Sequence, residues 1–225
     1  MAIKRAKTLV NKQFAKLLKI VQRSEHPLRD EIAVRLSFNA GLRAGEIARL
    51  RWLNNILGPT GLVMDTLHIT SDVGKRAVER NIPLEPSLQA LLRQLRRQRP
   101  EDEYVFYAIH NNKIPQVIVR DKRGQPMRDA AGEVLKRDDP NWAPGQVTPN
   151  AVVQWFKRLY AMVDFQGCTS HSGRRTFITT RARMANLNQC SIRDVQELAG
   201  HRSLETTAAY IEPSEFQKDL VSAKW

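Results

Sequence analysis

His201 and Tyr210 stand nine positions apart in the stretch Gly200-His201-Arg202-Ser203-Leu204-Glu205-Thr206-Thr207-Ala208-Ala209-Tyr210-Ile211-Glu212, and Tyr210 is the candidate nucleophile of the chain. Ser203 is suited to cap a short helix, so Tyr210 is expected to project its hydroxyl from that helix while His201 sits in the turn before it. Arg43 has Glu46 three residues on, close enough to orient it, and His171 precedes Arg174 by the same interval. With Lys75, these residue types fit phosphoryl transfer on a DNA backbone, which needs a nucleophile, cationic clamps on the non-bridging oxygens and an acid for the departing 5′ oxygen. Arg43 and Arg174 each offer a guanidinium fork that lysine cannot reproduce. Lys75 is suited to protonate the leaving oxygen, His171 to accept or relay the tyrosine proton, and His201 to donate a hydrogen bond to the phosphate. Taken singly, each has a plainer explanation: an aromatic near a histidine usually packs, and a lone arginine or hairpin lysine is usually a solvated charge.

Charge points the same way. The 225 residues carry 36 Lys and Arg against 23 Asp and Glu, a formal net charge of +13, so the natural partner is a polyanion, with nucleic acid foremost. Cys168 and Cys190 form neither a disulfide framework nor metal-ligand spacing with the five histidines, so an intracellular, metal-free chain is expected. No apolar run reaches transmembrane length. Met1-Ala2-Ile3-Lys4-Arg5-Ala6-Lys7 is basic but has no signal-peptide hydrophobic segment after it, so a cytoplasmic, nucleoid-associated protein without membrane contact is the expectation.

The elements that must position these residues follow from periodicity and breakers. Thr8 is expected to cap a helix with Leu9, Phe14, Leu17, Leu18 and Val21 on its apolar stripe, and a second helix runs from Leu28 to Asn39, closed by Gly41. A third helical pattern, Ala44 to Trp52, puts Arg43 at a helix–turn–helix corner. Alternation from Val63 to Ile69 and again from Ala77 to Leu84 predicts a β-hairpin carrying Lys75 at its tip. Pro86 and Ser87 open a helix with Leu88, Leu91, Leu92 and Leu95 inward and Arg93, Arg96, Arg97 and Arg99 outward, after which Val105 and Phe106 read as a short buried strand. Residues 108–147 are polar and proline-punctuated and read as an insertion, with a local hairpin turning at Arg123-Gly124 and charge suited to phosphates. Thr148-Pro149 starts a helix through Val163, and Ser191 starts another that runs into Gly200. The chain shows no internal repeat and no flexible interdomain linker. The fold class expected is α+β, mainly helical with a small antiparallel sheet.

At this point the residues resemble the tyrosine recombinase, or phage integrase, family, from about Thr8 to Glu212. Gly41-Leu42-Arg43-Ala44-Gly45-Glu46-Ile47 resembles the family's first arginine box, and Gly74-Lys75 followed by Glu79-Arg80-Asn81-Ile82-Pro83-Leu84 its hairpin lysine motif. His171-x-x-Arg174 is similar to the second box, and Leu198-Ala199-Gly200-His201 with Tyr210 to the third. The resemblance implies Arg43, Lys75, His171, Arg174 and His201 as the phosphate-activating set, Glu46 as acidic support of Arg43, and Tyr210 as the nucleophile forming a 3′-phosphotyrosine link. It implies no metal and no high-energy cofactor, because that link conserves the bond energy.

Three departures stand out. The family's usual N-terminal DNA-gripping domain is expected to be absent, since the catalytic pattern begins at about residue 8. Gly173 stands where the family usually has leucine, and Ala199 where it often has glycine. The 108–147 segment is longer than the connection usual there. The expectation is a catalytic domain over residues 1–212 and a C-terminal tail helix over 213–225, acting as a site-specific recombinase or integrase on double-stranded DNA. Strand exchange implies a homotetramer assembled through the tail, with an accessory DNA-binding protein as a candidate supplier of the absent grip. The rivals are a type IB topoisomerase-like relaxing enzyme and a catalytically silent DNA-binding regulator of the same fold.

Overall fold

A computed structural model describes residues 6–73, 78–108, 116–139, 142–143, 145–185 and 190–210. Helix α1 (Asn11–Val21) starts later than expected: Val10, not Thr8, occupies its N-cap, and the Val10 N–H donates to Gln13 Oε1 at 3.0 Å. The preceding residues are drawn instead toward the far end of the chain, where the Leu9 N–H donates to Thr176 Oγ1 at 2.9 Å. Helix α2 (Pro27–Phe38) has proline in its first turn and ends in a turn that needs Gly41 at φ +66°. There the Leu42 N–H reaches back six residues to the Leu36 carbonyl at 3.0 Å, satisfying an otherwise orphan acceptor.

Helix α3 (Ala44–Arg49) is shorter than its pattern suggests. Leu50 is extended because its carbonyl accepts from Val105, and Trp52 donates to the Glu103 carbonyl, so an antiparallel pairing centred on Arg51 and Tyr104 pulls the backbone out of the helix. A single π-helical turn (Trp52–Ile56) then leads to β1 (Thr66–Ile69), which pairs antiparallel with β2 (Arg80–Pro83) in the register Thr66 to Pro83 and Ile69 to Arg80. In β2 the inward positions are Arg80 and Ile82. Helix α4 (Pro86–Gln98) is capped by Glu85, whose carboxylate accepts the Ser87 N–H, and buries Leu88, Leu92 and Leu95. Each of those leucines contributes about 2 kcal/mol of burial. Its basic face is only partly free, since Arg96 lies over Trp52 and the Arg99 guanidinium stacks 4.0 Å from the ring centre of Tyr107.

Between α4 and α5 (Pro149–Met162) lie the short strands β3 (Gln116–Ile118) and β4 (Lys136–Asp138), paired antiparallel. Here the structure corrects two expectations. There are two tight hairpins, not one, and they form an internal repeat of eight residues: Val119-Arg120-Asp121 through Gly124 is followed by Met127-Arg128-Asp129 through Gly132. In each turn the aspartate side chain accepts two backbone N–H groups, the glycine is left-handed, and the arginine donates to the glycine carbonyl. The repeats meet in a closed ring of three backbone bonds, Met127 to Val119, Leu135 to Met127 and Val119 to Leu135, each 2.9 Å. Outside the ring, the Ala108 N–H donates to the Gly145 carbonyl at 2.9 Å.

Helix α5 takes Thr148 as N-cap and packs on α3; α6 (Ser172–Ala185) packs on α2; α7 (Ile192–Ala199) packs on α6 and on β2. A large core runs from Leu9 to Val163, and a smaller cluster of Phe177, Ile178, Ala185, Val195 and Ala199 carries Tyr210 on its edge. The last described helix, α8 (Leu204–Ala208), is capped by Ser203. The fold is α+β and mainly helical, with two small antiparallel sheets among the described residues.

Candidate active site

The site forms where four helix ends and one strand converge. Arg43 occupies the N-cap position of α3, fixed by the Gly41 turn before it; its backbone N–H donates to Glu46 Oε2 at 2.8 Å and its Nη1 to Glu46 Oε1 at 3.0 Å. This uses one edge of the Arg43 guanidinium and leaves the side chain 39% exposed. Glu46 itself is buried, and a second arginine grips it: Arg80 Nη1 and Nη2 reach its two oxygens at 3.1 and 2.9 Å. Burial pushes the Glu46 carboxyl up, but the Arg80 fork, the nearby Arg174 charge and the Arg43 N–H together outweigh it and hold the group below the usual carboxylate range.

Arg174, in the first turn of α6, is buried and ties two turns together. Its Nη1 donates to the Gly41 carbonyl at 2.6 Å and its Nη2 to the Ala199 carbonyl at 2.5 Å. Burial and the neighbouring Arg43 cation push its guanidinium down to about 9, which still leaves it charged at neutral pH. The close approach of α6 to α2 explains Gly173. A Cβ there would lie 2.3 Å from Ser37 Oγ and 2.8 Å from the Phe38 ring, so a larger residue would force the helices apart. Gly41 is under a similar constraint, because a Cβ would meet the Phe177 ring at 2.5 Å.

His201 follows the left-handed Gly200 that ends α7; its Nδ1 shares a 2.9 Å hydrogen bond with the buried Thr207 hydroxyl. Burial, then the charges of Arg174, Arg43 and Arg80, hold its imidazole down to about 4, so it is neutral at pH 7. His171, just before α6, is also lowered, first by partial desolvation of its ring and then by Arg174 and Arg43. Tyr210 does not stand on a helix, as its spacing suggests, but in the turn after α8, where its N–H donates to the Thr207 carbonyl at 2.9 Å. Its ring stacks on His201 and lies 5.9 Å from the Arg175 guanidinium.

Mutual charge interactions and the Tyr210–His201 stack thus tie Arg43, Glu46, His171, Arg174, His201 and Tyr210 into one basic cluster, while Lys75 and the tail over 213–225 fall outside the described residues. Three guanidiniums around one carboxylate leave an excess of positive charge, the arrangement an anion needs. Sequence reasoning passed over Arg80 and Arg175. The signal for Arg80 was its period with Ile82, which puts both on the inward face of a strand. Nothing in the sequence singles out Arg175, whose Nε is buried without a hydrogen-bond partner among the described residues. Among those residues no group of His, Cys, Asp and Glu side chains is placed to hold a metal ion, and no helix is long and apolar enough to cross a membrane.

Comparison with known proteins places this fold. Tyrosine recombinase XerC of Rickettsia typhi is 27% identical over 192 residues, covering 83% of this chain and 48% of that protein, so the chain spans about half the length of the curated relative it matches. XerA recombinase shares the fold with a TM-score of 0.61 at 17% identity, over 98% of this chain and 67% of XerA. A λ integrase tetramer bound to a Holliday junction gives 0.57 at 16% identity, over 94% of this chain and 50% of that one. The family model described as the phage integrase family matches residues 7–216, nearly the whole chain, and the chain belongs to that family.

Proposed function

We propose that this chain is the catalytic part of a tyrosine-type site-specific DNA recombinase. The Tyr210 hydroxyl attacks the scissile phosphorus, losing its proton to His171; the bond from phosphorus to the 5′ oxygen breaks, and that oxygen leaves with a proton from Lys75. The product is a 3′-phosphotyrosyl link and a free 5′ hydroxyl. Attack by the 5′ hydroxyl of another strand reverses the step and frees Tyr210. Arg43 and Arg174 neutralise the non-bridging oxygens, and His201 donates to them through Nε2, which requires Thr207 to donate to Nδ1.

The observation that carries this reading is the placement of Tyr210 against His201, inside the field of Arg43 and Arg174, in a chain of the phage integrase family. Its arginines are restrained before substrate arrives, which is what stabilising a pentacoordinate phosphorus demands. Double-stranded DNA is the substrate that the +13 charge suits, and a nucleoid location follows from that substrate. Strand exchange by pairs of such links needs four subunits, as in the λ integrase tetramer on a Holliday junction. The segment from Glu215 to Trp225 is the part of the chain assigned to contact the neighbouring subunit.

The test is a nicked suicide duplex on which cleavage is trapped. The protein should form a covalent adduct that Tyr210→Phe abolishes while DNA affinity is kept. An adduct persisting in Tyr210→Phe would remove Tyr210 as nucleophile.

A further inference from the structure

We infer that Arg80 is a positioning residue for the reaction, setting both the first arginine, through the Glu46 carboxylate, and the His201 turn; this rests on the recombinase reading above. Arg80 sits on the inward face of β2, almost wholly buried, where an unpaired guanidinium would be strongly disfavoured. It makes three directed bonds. Its two Nη atoms hold both oxygens of Glu46, and its Nε donates to the Leu198 carbonyl at 3.1 Å, in the last turn of α7. Glu46 in turn holds Arg43 by side chain and backbone. The Arg80 guanidinium therefore joins the turn that presents Arg43 to the turn that presents His201, as Arg174 does through the Gly41 and Ala199 carbonyls, but it alone does so through the carboxylate that holds Arg43.

Two further features point to this arrangement as a fixed spacing. Gly200 is left-handed and lies against Arg80, so closely that a Cβ would be 2.9 Å from Arg80 Cδ and Nη1. The cap of α7 is thus built around the Arg80 side chain. The bidentate fork also fixes the rotation of the Glu46 carboxylate, and with it which edge of Arg43 is used up and which faces outward. Lysine has no fork and cannot reach Glu46 and the Leu198 carbonyl together.

An architectural ion pair would affect folding alone, whereas a positioning residue changes the chemical step and its pH dependence. The charged groups facing Glu46 are Arg80 from β2, Arg174 from α6 and Arg43 at the start of α3. With Arg80 gone, burial acts on Glu46 with less opposition, and the carboxyl takes up a proton at higher pH than before.

The experiment compares wild type, Arg80→Met, Arg80→Lys, Glu46→Gln and the Arg80→Met/Glu46→Gln pair for the rate of adduct formation at saturating suicide duplex, for duplex affinity, and for melting temperature. Arg80→Met and Arg80→Lys, where folded, should slow adduct formation at least about tenfold with affinity within about threefold of wild type. In Arg80→Lys the rate should fall further as pH is lowered through a range where wild type is flat. The double variant should be no slower than Arg80→Met, because both changes break one linkage. A folded Arg80→Lys with wild-type rate and pH profile would overturn the inference. So would failure of both Arg80 variants to fold, which makes the residue architectural. If wild type itself forms no adduct, the recombinase reading fails instead, and the two results are told apart by that control.

Discussion

Tyr210 is stacked on His201, with ring centroids 5.7 Å apart and planes inclined by 27°. The candidate nucleophile is therefore held by a neutral imidazole, since burial and then the cations Arg174, Arg43 and Arg80 hold His201 down to about 4. A group whose folded-state pKa lies below its unfolded value of about 6.5 binds fewer protons folded than unfolded in the interval between. Stability should accordingly fall as pH drops from about 6.5 towards 4. NMR of labelled imidazole should show a His201 midpoint near 4 in the free protein. Binding a phosphate-bearing duplex offsets the surrounding cations, so at pH of about 5.5 it should take up protons. A free-protein midpoint above 6.5 would contradict the stacked, neutral arrangement.

The two candidate clamps differ in how much of the fold they carry. Arg43 spends one edge on Glu46 and is 39% exposed, so Arg43→Ala should lower stability by only about 1 kcal/mol while slowing cleavage on the order of 10²-fold. Arg174 holds two carbonyls, so Arg174→Ala leaves both unpaired and should cost about 3 kcal/mol in addition to the loss of rate. Thermal melts beside single-turnover cleavage separate the cases; equal destabilisation by both substitutions would mean that the Gly41 and Ala199 carbonyls find other donors.

Gly173 is where helix contact, not chemistry, decides the residue. Gly173→Leu, the residue the family pattern usually carries there, should destabilise by at least about 2 kcal/mol, because a Cβ alone already meets Ser37 Oγ at 2.3 Å and the Phe38 ring at 2.8 Å. Pairing it with Phe38→Ala, which opens space, should recover part of the loss. Chemical denaturation of the single and double variants measures this, and an unchanged midpoint in Gly173→Leu would show that α2 and α6 can part freely.

Lys75 is assigned the acid role on sequence grounds. A duplex with sulfur in place of the bridging 5′ oxygen expels a thiolate that needs no proton, so it should restore cleavage by Lys75→Ala and not by Arg43→Ala. Equal restoration of both would take the proton-donor role from Lys75.

The parts of the molecule legible in the sequence are those governed by local rules. Gly41 ends α2 where its φ demands glycine, Ser191 and Ser203 cap α7 and α8, and the hairpin strands fall within the alternating segments. Arg43 with Glu46, and His171 with Arg174, were found by type and interval. What escaped was set by distant partners or masked by residue type. Helix α3 stops at Arg49 because Leu50 and Trp52 bond across to residues near Tyr104. Arg80 occupies an apolar slot in a strand pattern, yet arginine reads as surface until its carboxylate is seen. The eight-residue repeat went unread because its copies share little beyond Arg, Asp and Gly, the residues its turns require.

That repeat has a bearing on how the chain varies over time. Its ring of three backbone bonds closes within the segment, and the Ala108 to Gly145 bond clamps its base, so its polar backbone makes few demands on the core. A module of that kind can be lengthened, shortened or swapped by one recombination event in the gene, with the catalytic scaffold left as it was. The residues at its two turn tips, Lys122-Arg123 and Ala130-Ala131, are exposed and can drift independently of Tyr210 and its neighbours.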